Sequence, residues 1–142
     1  MKLVSIDYGR RRIGMAVGDN SGIPVRGLPT IDRKKNPDII SVLCSVIAEE
    51  QPERLIFGLP LDVDDAETVM SKEVRTFAGN LSVRTGLPVI FIDESLSSRR
   101  AEELLRHRKK KQRRDKGAVD RLAACLILDQ YIRESGSIRY VQ

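Results

Sequence analysis

The sequence predicts an α/β fold, in which a mixed five-stranded sheet, made of an N-terminal antiparallel hairpin and parallel strands, carries helices on both faces. Short apolar runs and helical patterns follow one another in the order β-β-β-α-β-α-β-α-α. Only a short turn separates the first two apolar runs, and a connection that short joins antiparallel strands. Helical patterns separate the later runs, as crossovers between parallel strands require.

The opening stretch, residues 3–17, contains two apolar strands joined by a turn rich in glycine and arginine. Gly9 can supply the positive φ that a hairpin connection needs. Asn20 and Gly22 mark the next turn, and residues 25–31 form the third strand. Two prolines in that strand lack the backbone donor that a central strand needs, so we expect it at the edge of the sheet.

Two helices then alternate with two uniformly apolar strands. Asn36 as N-cap and Pro37 as first helical residue predict the start of the first helix, and Pro52 ends it. Residues 54–58 and 88–92 lack alternation, which is typical of strands covered on both faces. The second helix lies between these strands and is stopped by a glycine and a proline. Its predicted apolar side consists of Val69, Val74, Phe77 and Leu81.

Two more helices close the chain. The first is capped by Ser97 or Ser98 and leads into a strongly basic stretch. The last helix begins near Gly117 and closes at Gly136, where the helical pattern stops. Its predicted apolar residues are Val119, Leu122, Ala123, Leu126, Ile127 and Ile132.

A chain of 142 residues is most simply one domain, which we place at residues 1–137, followed by a short tail at 138–142. No apolar run approaches the ~20 residues that span a bilayer, and no signal-peptide pattern opens the chain. Cys44 and Cys125 lie in apolar helical patterns, as reduced and buried thiols do. We therefore expect a cytoplasmic protein without a membrane partner. The lack of a Cys-x-x-Cys spacing, together with a single histidine, excludes a structural zinc site.

One short stretch, the basic segment (residues 106–116), holds the excess positive charge of the chain. The whole chain carries a net charge of +5, and the residues outside the basic segment are mildly acidic in sum. Its basic residues are Arg106, Arg108, Lys109, Lys110, Lys111, Arg113, Arg114 and Lys116. Such a run is often only a solvated loop, but its density favours a polyanionic partner, because each neutralised phosphate releases counterions.

Acidic residues stand at the ends of several predicted elements. Asp7 ends the first strand, Asp93 and Glu94 end the last one, and Asp120 lies in the first turn of the final helix. Ligands of open α/β sheets collect beyond the carboxyl ends of the strands, so parallel strands would bring the strand-end acids to one edge. A helix packed across that edge could add Asp120 to them.

Carboxylates that converge in this way favour a hard divalent cation, Mg²⁺ or Mn²⁺. Two such ions about 3.5–4 Å apart could stabilise the attacking and leaving oxygens of a phosphodiester. Each acid also has a simpler explanation: Asp7 could bond the turn backbone, Asp120 could favour the helix dipole, and Glu94 could be a surface acid. Strand alternation puts Asp93 and Glu94 on opposite faces without deciding which one faces the site.

Four motifs together span nearly the whole chain. They are Asp7-x-Gly9-x-x-x-Ile13-Gly14-x-Ala16-Val17, Gly58-Leu59-Pro60-Leu61, Asp93-Glu94-Ser95-Leu96-Ser97 and Lys116-Gly117-x-Val119-Asp120-x-x-Ala123-Ala124. In their order and spacing they resemble the YqgF/RuvX family of RNase H-like nucleases. The resemblance implies an RNase H-like fold and a metal-dependent nuclease in which Asp7, Glu94 and Asp120 are the catalytic, metal-binding acids. Ser95 departs from the pattern, because the family usually has arginine there.

The family is described both as a relative of Holliday junction resolvases and as a nuclease that matures the 5′ end of 16S ribosomal RNA. The resemblance thus implies that Mg²⁺ or Mn²⁺ activates water to attack a nucleic-acid phosphodiester, and we favour processing of pre-16S rRNA in ribosome biogenesis. The basic segment and Arg10, Arg11 and Arg12 would hold the backbone.

Two alternatives remain open at this point. The first is a Holliday junction resolvase in DNA recombination and repair, which makes two symmetric cuts and so should be a homodimer, whereas RNA processing needs only a monomer. The second is a nucleic-acid-binding ribosome-assembly or transcription factor that does not cut. The basic segment suits all three functions, so cleavage with and without a divalent metal is the observation that separates them.

Overall fold

One mixed sheet organises the part of the chain that this computed structural model describes, residues 1–21, 24–62, 66–93 and 116–134. Its strands are β1 (Lys2–Asp7), β2 (Arg12–Asp19), β3 (Arg26–Asp32), β4 (Arg54–Leu59) and β5 (Val89–Asp93). They lie in the order β3-β2-β1-β4-β5, with β1 at the centre. β2 pairs antiparallel with β1 and β3, while β4 runs parallel to β1 and β5. The predicted hairpin, the parallel strands and the edge position of the third strand are confirmed.

Helices cover both faces of this sheet, as predicted. α1 (Ile39–Glu50) and α2 (Val69–Thr85) pack on one face, and α3 (Lys116–Glu134) packs on the other. Strand alternation separates the two cores: Val4 and Ile6 of β1 lie in the core beneath α1 and α2, whereas Leu3 lies in the core beneath α3. Asp7 has the parity of Leu3, so the end of β1 directs it to the α3 face.

The start of α1 differs from the sequence prediction. The N-cap is Asp38, whose carboxylate accepts a hydrogen bond from the backbone N–H of Ser41 at 3.4 Å. Asn36, the predicted cap, instead donates its side-chain amide to the carbonyl oxygen of Asp32 at 2.9 Å and closes the turn after β3. Pro37 therefore precedes the helix. The end of α1 agrees with the prediction, because Gln51 adopts a left-handed conformation before the next proline.

α2 begins with a capping box and ends at Gly86, which has a φ of 72°. The prediction that Val69 lies on the apolar side is wrong, since its side chain is 77% exposed. Val69 stands five residues before Val74, which is about 140° around a helix at 100° per residue. The position on the buried side of the first turn is taken by Ser71.

The capping box makes Thr68 the most consequential residue at the start of α2. Its hydroxyl accepts from the Ser71 N–H and donates to the Pro60 carbonyl, both at 3.0 Å. We expect Thr68→Ala to lower the free energy of unfolding by about 1 kcal/mol in urea titrations. Thr76→Ala, on the exposed side of the same helix, should stay within about 0.5 kcal/mol of the wild type. Equal losses in the two variants would contradict the capping role.

α3 begins at Lys116, close to the prediction, but its buried side is narrower than predicted. Its fully buried residues are Ala123, Ala124, Ile127, Leu128 and Tyr131. Four residues that the pattern predicts on the apolar side are only half-buried: Val119, Leu122, Leu126 and Ile132. Small residues at 123 and 124 bring the helix backbone close to the sheet, and this leaves the neighbouring larger side chains at the margins.

Several predictions fall outside the described residues. They are the turn at Gly22, the helix capped by Ser97 or Ser98, Glu94, the basic segment up to residue 115, Gly136 and the tail at 138–142. The two cysteines are free, as predicted, but they are half-buried rather than fully buried. Within the described ranges, no helix is long and apolar enough to cross a membrane.

Candidate functional site

Asp7 and Asp120 are both neighbours of Gly14, at the end of the sheet where strands β1 and β4 terminate. Asp7 and Gly14 are direct partners across the β1–β2 ladder, and such Cα atoms are about 4.5–5.5 Å apart. A Cβ atom added to Gly14 would collide with the carbonyl oxygen of Asp120 and lie 3.1 Å from its Cβ atom. The backbones of two acid residues from opposite ends of the chain are therefore both adjacent to one glycine on the α3 face.

Hydrogen bonds from the sheet hold α3 in this position. The buried hydroxyl of Ser5 donates to the carbonyl oxygen of Ala124 at 2.6 Å, and the hydroxyl of Thr30 donates to that of Gly117 at 2.8 Å. These contacts link the centre and the edge of the sheet to the first half of the helix. Asp120 lies between Gly117 and Ala124 in α3, so its position follows from the packing of the whole helix on the sheet.

The sequence placed Asp120 in the first turn of its helix, where the helix dipole would explain an acid. The structure corrects this placement: α3 begins at Lys116, Asp120 is its fifth residue, and the first turn contains no acid. The stabilising effect of the dipole on a carboxylate falls off beyond the first turn. The simpler explanation for Asp120 is thereby weakened.

The packing of β5 against the two cores shows which face of the sheet Asp93 lies on. Ile90 and Ile92 of β5 pack in the core beneath α3, whereas Phe91 packs in the core beneath α1 and α2. Asp93 has the parity of Phe91, so it lies on the face opposite Asp7. Glu94 lies outside the described residues. Within the described ranges, no three His, Cys, Asp or Glu residues gather as a possible metal site.

The three arginines of the β1–β2 turn each pair with an acid from a different element. Arg10 pairs with Glu73 of α2 at 3.1 Å, and Arg11 pairs with Asp32 at the end of β3 at 3.6 Å. Arg12 donates its Nε–H to Oδ2 of Asp120 at 2.8 Å. The sequence gives no indication of these partners, because ion pairs between distant segments leave no local signal.

A second group of polar side chains fixes the turn after Asp7. The Tyr8 hydroxyl donates to Glu73 at 2.6 Å, and Arg33 donates to the Gly9 carbonyl at 3.0 Å while its guanidinium lies over the Tyr8 ring. Burial, followed by the bond to Glu73, raises the pKa of Tyr8. Hydrogen bonds from Arg10 and then Tyr8 hold the pKa of Glu73 below its usual value. Arg33 was not singled out in the sequence, although it anchors this turn.

The residues at Gly14 fit a hard divalent cation. Carboxylate oxygens are the donors that Mg²⁺ and Mn²⁺ prefer, and the missing side chain at Gly14 lets the two acid-bearing backbones approach each other. Asp7 and Asp120 would be the ligands from the described residues. The guanidinium of Arg12, already bound to Asp120, would be a cation that competes with the metal for this carboxylate.

Comparison with known proteins assigns the chain to a family. The model of the RuvX family, described as "Holliday junction resolvase", matches residues 1–134. This chain belongs to the RuvX family. Relatives named "Putative pre-16S rRNA nuclease" include one from Synechococcus elongatus, 40% identical over 92% of this chain and 88% of the relative. Another, from Chromobacterium violaceum, is 40% identical over 94% of this chain and 98% of the relative. The resemblance to the RuvX family found in the motifs is confirmed.

Solved structures support the fold of this RuvX-family chain. RuvC of Thermus thermophilus, in complex with a Holliday junction substrate, superposes with a TM-score of 0.62 at 18% identity, over 99% of this chain and 100% of that chain. The fowlpox virus resolvase, solved with Holliday junction DNA, gives a TM-score of 0.58 at 12% identity, over 95% and 99% of the two chains. The predicted RNase H-like fold is confirmed.

Proposed function

We propose that this RuvX-family protein is a divalent-metal-dependent nuclease of the cytoplasm that processes the 5′ end of pre-16S rRNA. The position of Asp7 and Asp120 next to Gly14 supports the proposal, because it would provide two hard ligands at the end of the sheet where ligands of such folds collect. The names of the relatives supply the substrate class, a ribosomal RNA precursor.

Asp7 and Asp120 would hold the cation, and the sheet and α3 keep them in place before it binds. Mg²⁺ or Mn²⁺ bound there would activate a water molecule and stabilise charge on the oxygens of the phosphodiester. The Ser5–Ala124 hydrogen bond limits movement of α3, and so of Asp120, during the reaction. Such rigidity is valuable, because misplacing a reacting group by 1 Å can cost about 100-fold in rate.

We propose Glu94 as the third metal-binding acid. Its support is the Asp93-Glu94 motif together with the position of Asp93, which has the parity of Phe91 and so lies on the face opposite to Asp7 and Asp120. Of the two acids of the motif, Asp93 is therefore the less suitable ligand. We therefore expect Glu94→Gln to reduce cleavage and Asp93→Asn to leave it nearly unchanged.

Basic side chains would hold the nucleic-acid backbone around these acids. Arg10 and Arg11 are exposed beside the end of β1, and the basic segment ends at Lys116, the first residue of α3. Contacts of this kind go to phosphates and position the substrate without reading its sequence. Recognition would then depend on the shape of a structured RNA.

A second candidate function is the resolution of Holliday junctions, which the description of the family model favours. A resolvase must cut two strands symmetrically and would act as a homodimer, whereas a monomer suffices for RNA processing. The fold and the two acids are compatible with both substrates, so the substrate has to be determined directly.

The test is one cleavage assay with two substrates. Purified protein is incubated with a pre-16S rRNA fragment that carries its 5′ leader, and separately with a four-way DNA junction, in Mg²⁺, in Mn²⁺ and in EDTA. We expect metal-dependent cleavage of the RNA at the 5′ end of the mature sequence, and none in EDTA. Symmetric cleavage of the junction alone would establish the resolvase function. Binding of either substrate without cleavage in any metal would establish a non-catalytic binding protein.

A further inference from the structure

Arg12 occupies a special position among the arginines of the β1–β2 turn. It is the first residue of β2 and has the parity of Gly14 and Ala16, which places it on the α3 face with the two acids. Its ion pair with Asp120, at 2.8 Å, is the shortest of the three, and its side chain is the least exposed, at 32%. Asp120, the carboxylate partner of Arg12, is also one of the proposed metal ligands.

Charge balance explains why Arg12 would bind Asp120 before a metal does. Two carboxylates held close together repel each other unless a cation lies near them. In the structure, the guanidinium of Arg12 supplies positive charge directly at Asp120. A bound divalent cation would supply twice that charge, repel the guanidinium and make the Arg12–Asp120 pair less favourable.

The released guanidinium would then lie beside the phosphate that is to be cleaved. Arginine binds phosphate oxygens through its planar fork of N–H donors, and it does so more specifically than lysine. Only Nε of Arg12 contacts Asp120 in the structure, so its remaining donors make no bond to that carboxylate.

We propose that Arg12 exchanges partners: it binds Asp120 in the metal-free protein and a backbone phosphate of the nucleic acid once the divalent cation is bound. The inference rests on the proposed metal-dependent nuclease function. It makes metal binding and nucleic-acid binding favour each other, and such coupling is reciprocal by thermodynamic necessity. The protein would thus hold its substrate most tightly when it is ready to cut.

The first test measures the affinity for Mn²⁺ by calorimetry, without nucleic acid. We expect Arg12→Gln to bind Mn²⁺ about fivefold more tightly than the wild type, because the competing cation is gone. Arg12→Lys, which retains the charge, should stay close to the wild type. The matched control is Arg26→Gln, since Arg26 pairs with Glu50 at 2.9 Å near the opposite edge of the sheet. Circular dichroism checks that each variant is folded.

The second test measures RNA binding as a function of salt, in Mn²⁺ and in EDTA, with intact RNA verified on a gel in the same samples. In Mn²⁺, Arg12→Gln should reduce the slope of log K against log salt by about one, the signature of one lost phosphate contact. In EDTA the slope should not change, because Arg12 is then bound to Asp120. Arg26→Gln should leave both slopes unchanged.

Several results would overturn the exchange. Weaker or unchanged Mn²⁺ binding by Arg12→Gln would mean that Arg12 supports Asp120 permanently, and an equal loss of slope in Mn²⁺ and EDTA would mean that Arg12 contacts phosphate in both states. A wild-type protein that binds no Mn²⁺ would instead refute the proposed metal-dependent function itself. The two failures are therefore distinguishable.

Discussion

Asp7→Asn is expected to lower the rate of metal-dependent cleavage by about 100-fold or more. Asparagine has the shape of aspartate but lacks its charge, so the site loses a carboxylate ligand while the strand keeps its packing. Loss of a residue that only supports a metal ligand typically costs 10–100-fold, and loss of a ligand should cost at least as much. The measurement is the single-turnover cleavage rate with saturating Mn²⁺, together with the urea midpoint as a check of folding.

The matched control for Asp7 is Asp19→Asn. Asp19 ends β2 at the opposite edge of the same ladder, where it pairs with Lys2 in register and forms an ion pair with the N-terminal amine at 3.4 Å. The same chemical change there should leave the cleavage rate unaltered. Cleavage by Asp7→Asn at the wild-type rate would remove Asp7 from the mechanism.

Gly14→Ala is expected to destabilise the protein more than any of the other substitutions. The added methyl group would collide with the backbone carbonyl oxygen of Asp120, and backbone atoms cannot rotate away as a flexible side chain can. Overpacking of this kind typically costs 1–3 kcal/mol, and we expect about 3 kcal/mol in the free energy of unfolding, measured by urea titration. Displacement of α3 should also weaken Mn²⁺ binding, because Asp120 moves away from Asp7.

Gly79→Ala is the matched control for that substitution. Gly79 lies on the exposed side of α2, and no atom lies within 4 Å of a Cβ atom built there. Alanine is a better helix former than glycine, so this variant should gain about 0.5–1 kcal/mol. A Gly14→Ala variant as stable as the wild type would show that α3 does not press against β2 at this point.

The sheet could be predicted from the sequence because its signals are local. A short turn makes a hairpin, helix-length connections make parallel neighbours, and prolines mark an edge strand. The sequence predictions are wrong where the local sequence allows two arrangements and tertiary contacts determine which of them forms. Asn36 and Asp38 are both suitable N-cap residues. Because the Asn36 side chain donates to the carbonyl oxygen of Asp32, Asp38 is the residue that caps α1.

The candidate site was predictable only in part. That Asp7 and Asp120 come to the same end of the sheet could be inferred from the order of the elements and the family motifs, whereas Asp93 lies on the opposite face and Glu94 lies outside the described residues. The Arg12–Asp120 pair and the role of Arg33 were not predictable, because their partners lie in other elements and depend on how those elements pack. Gly14 can be recognised in the sequence as a motif residue. A side chain is excluded at this position by the close approach of α3, which is a property of the folded chain.

The most direct measurement is the anomalous scattering of Mn²⁺ in crystals of the wild-type protein. We expect a peak on the α3 face beside Gly14, at roughly 2.1 Å from carboxylate oxygens of both Asp7 and Asp120. In the same map, the Arg12 guanidinium should no longer contact Asp120. A map without a peak at this position in saturating Mn²⁺, or with ions bound only elsewhere, would contradict the shared metal site.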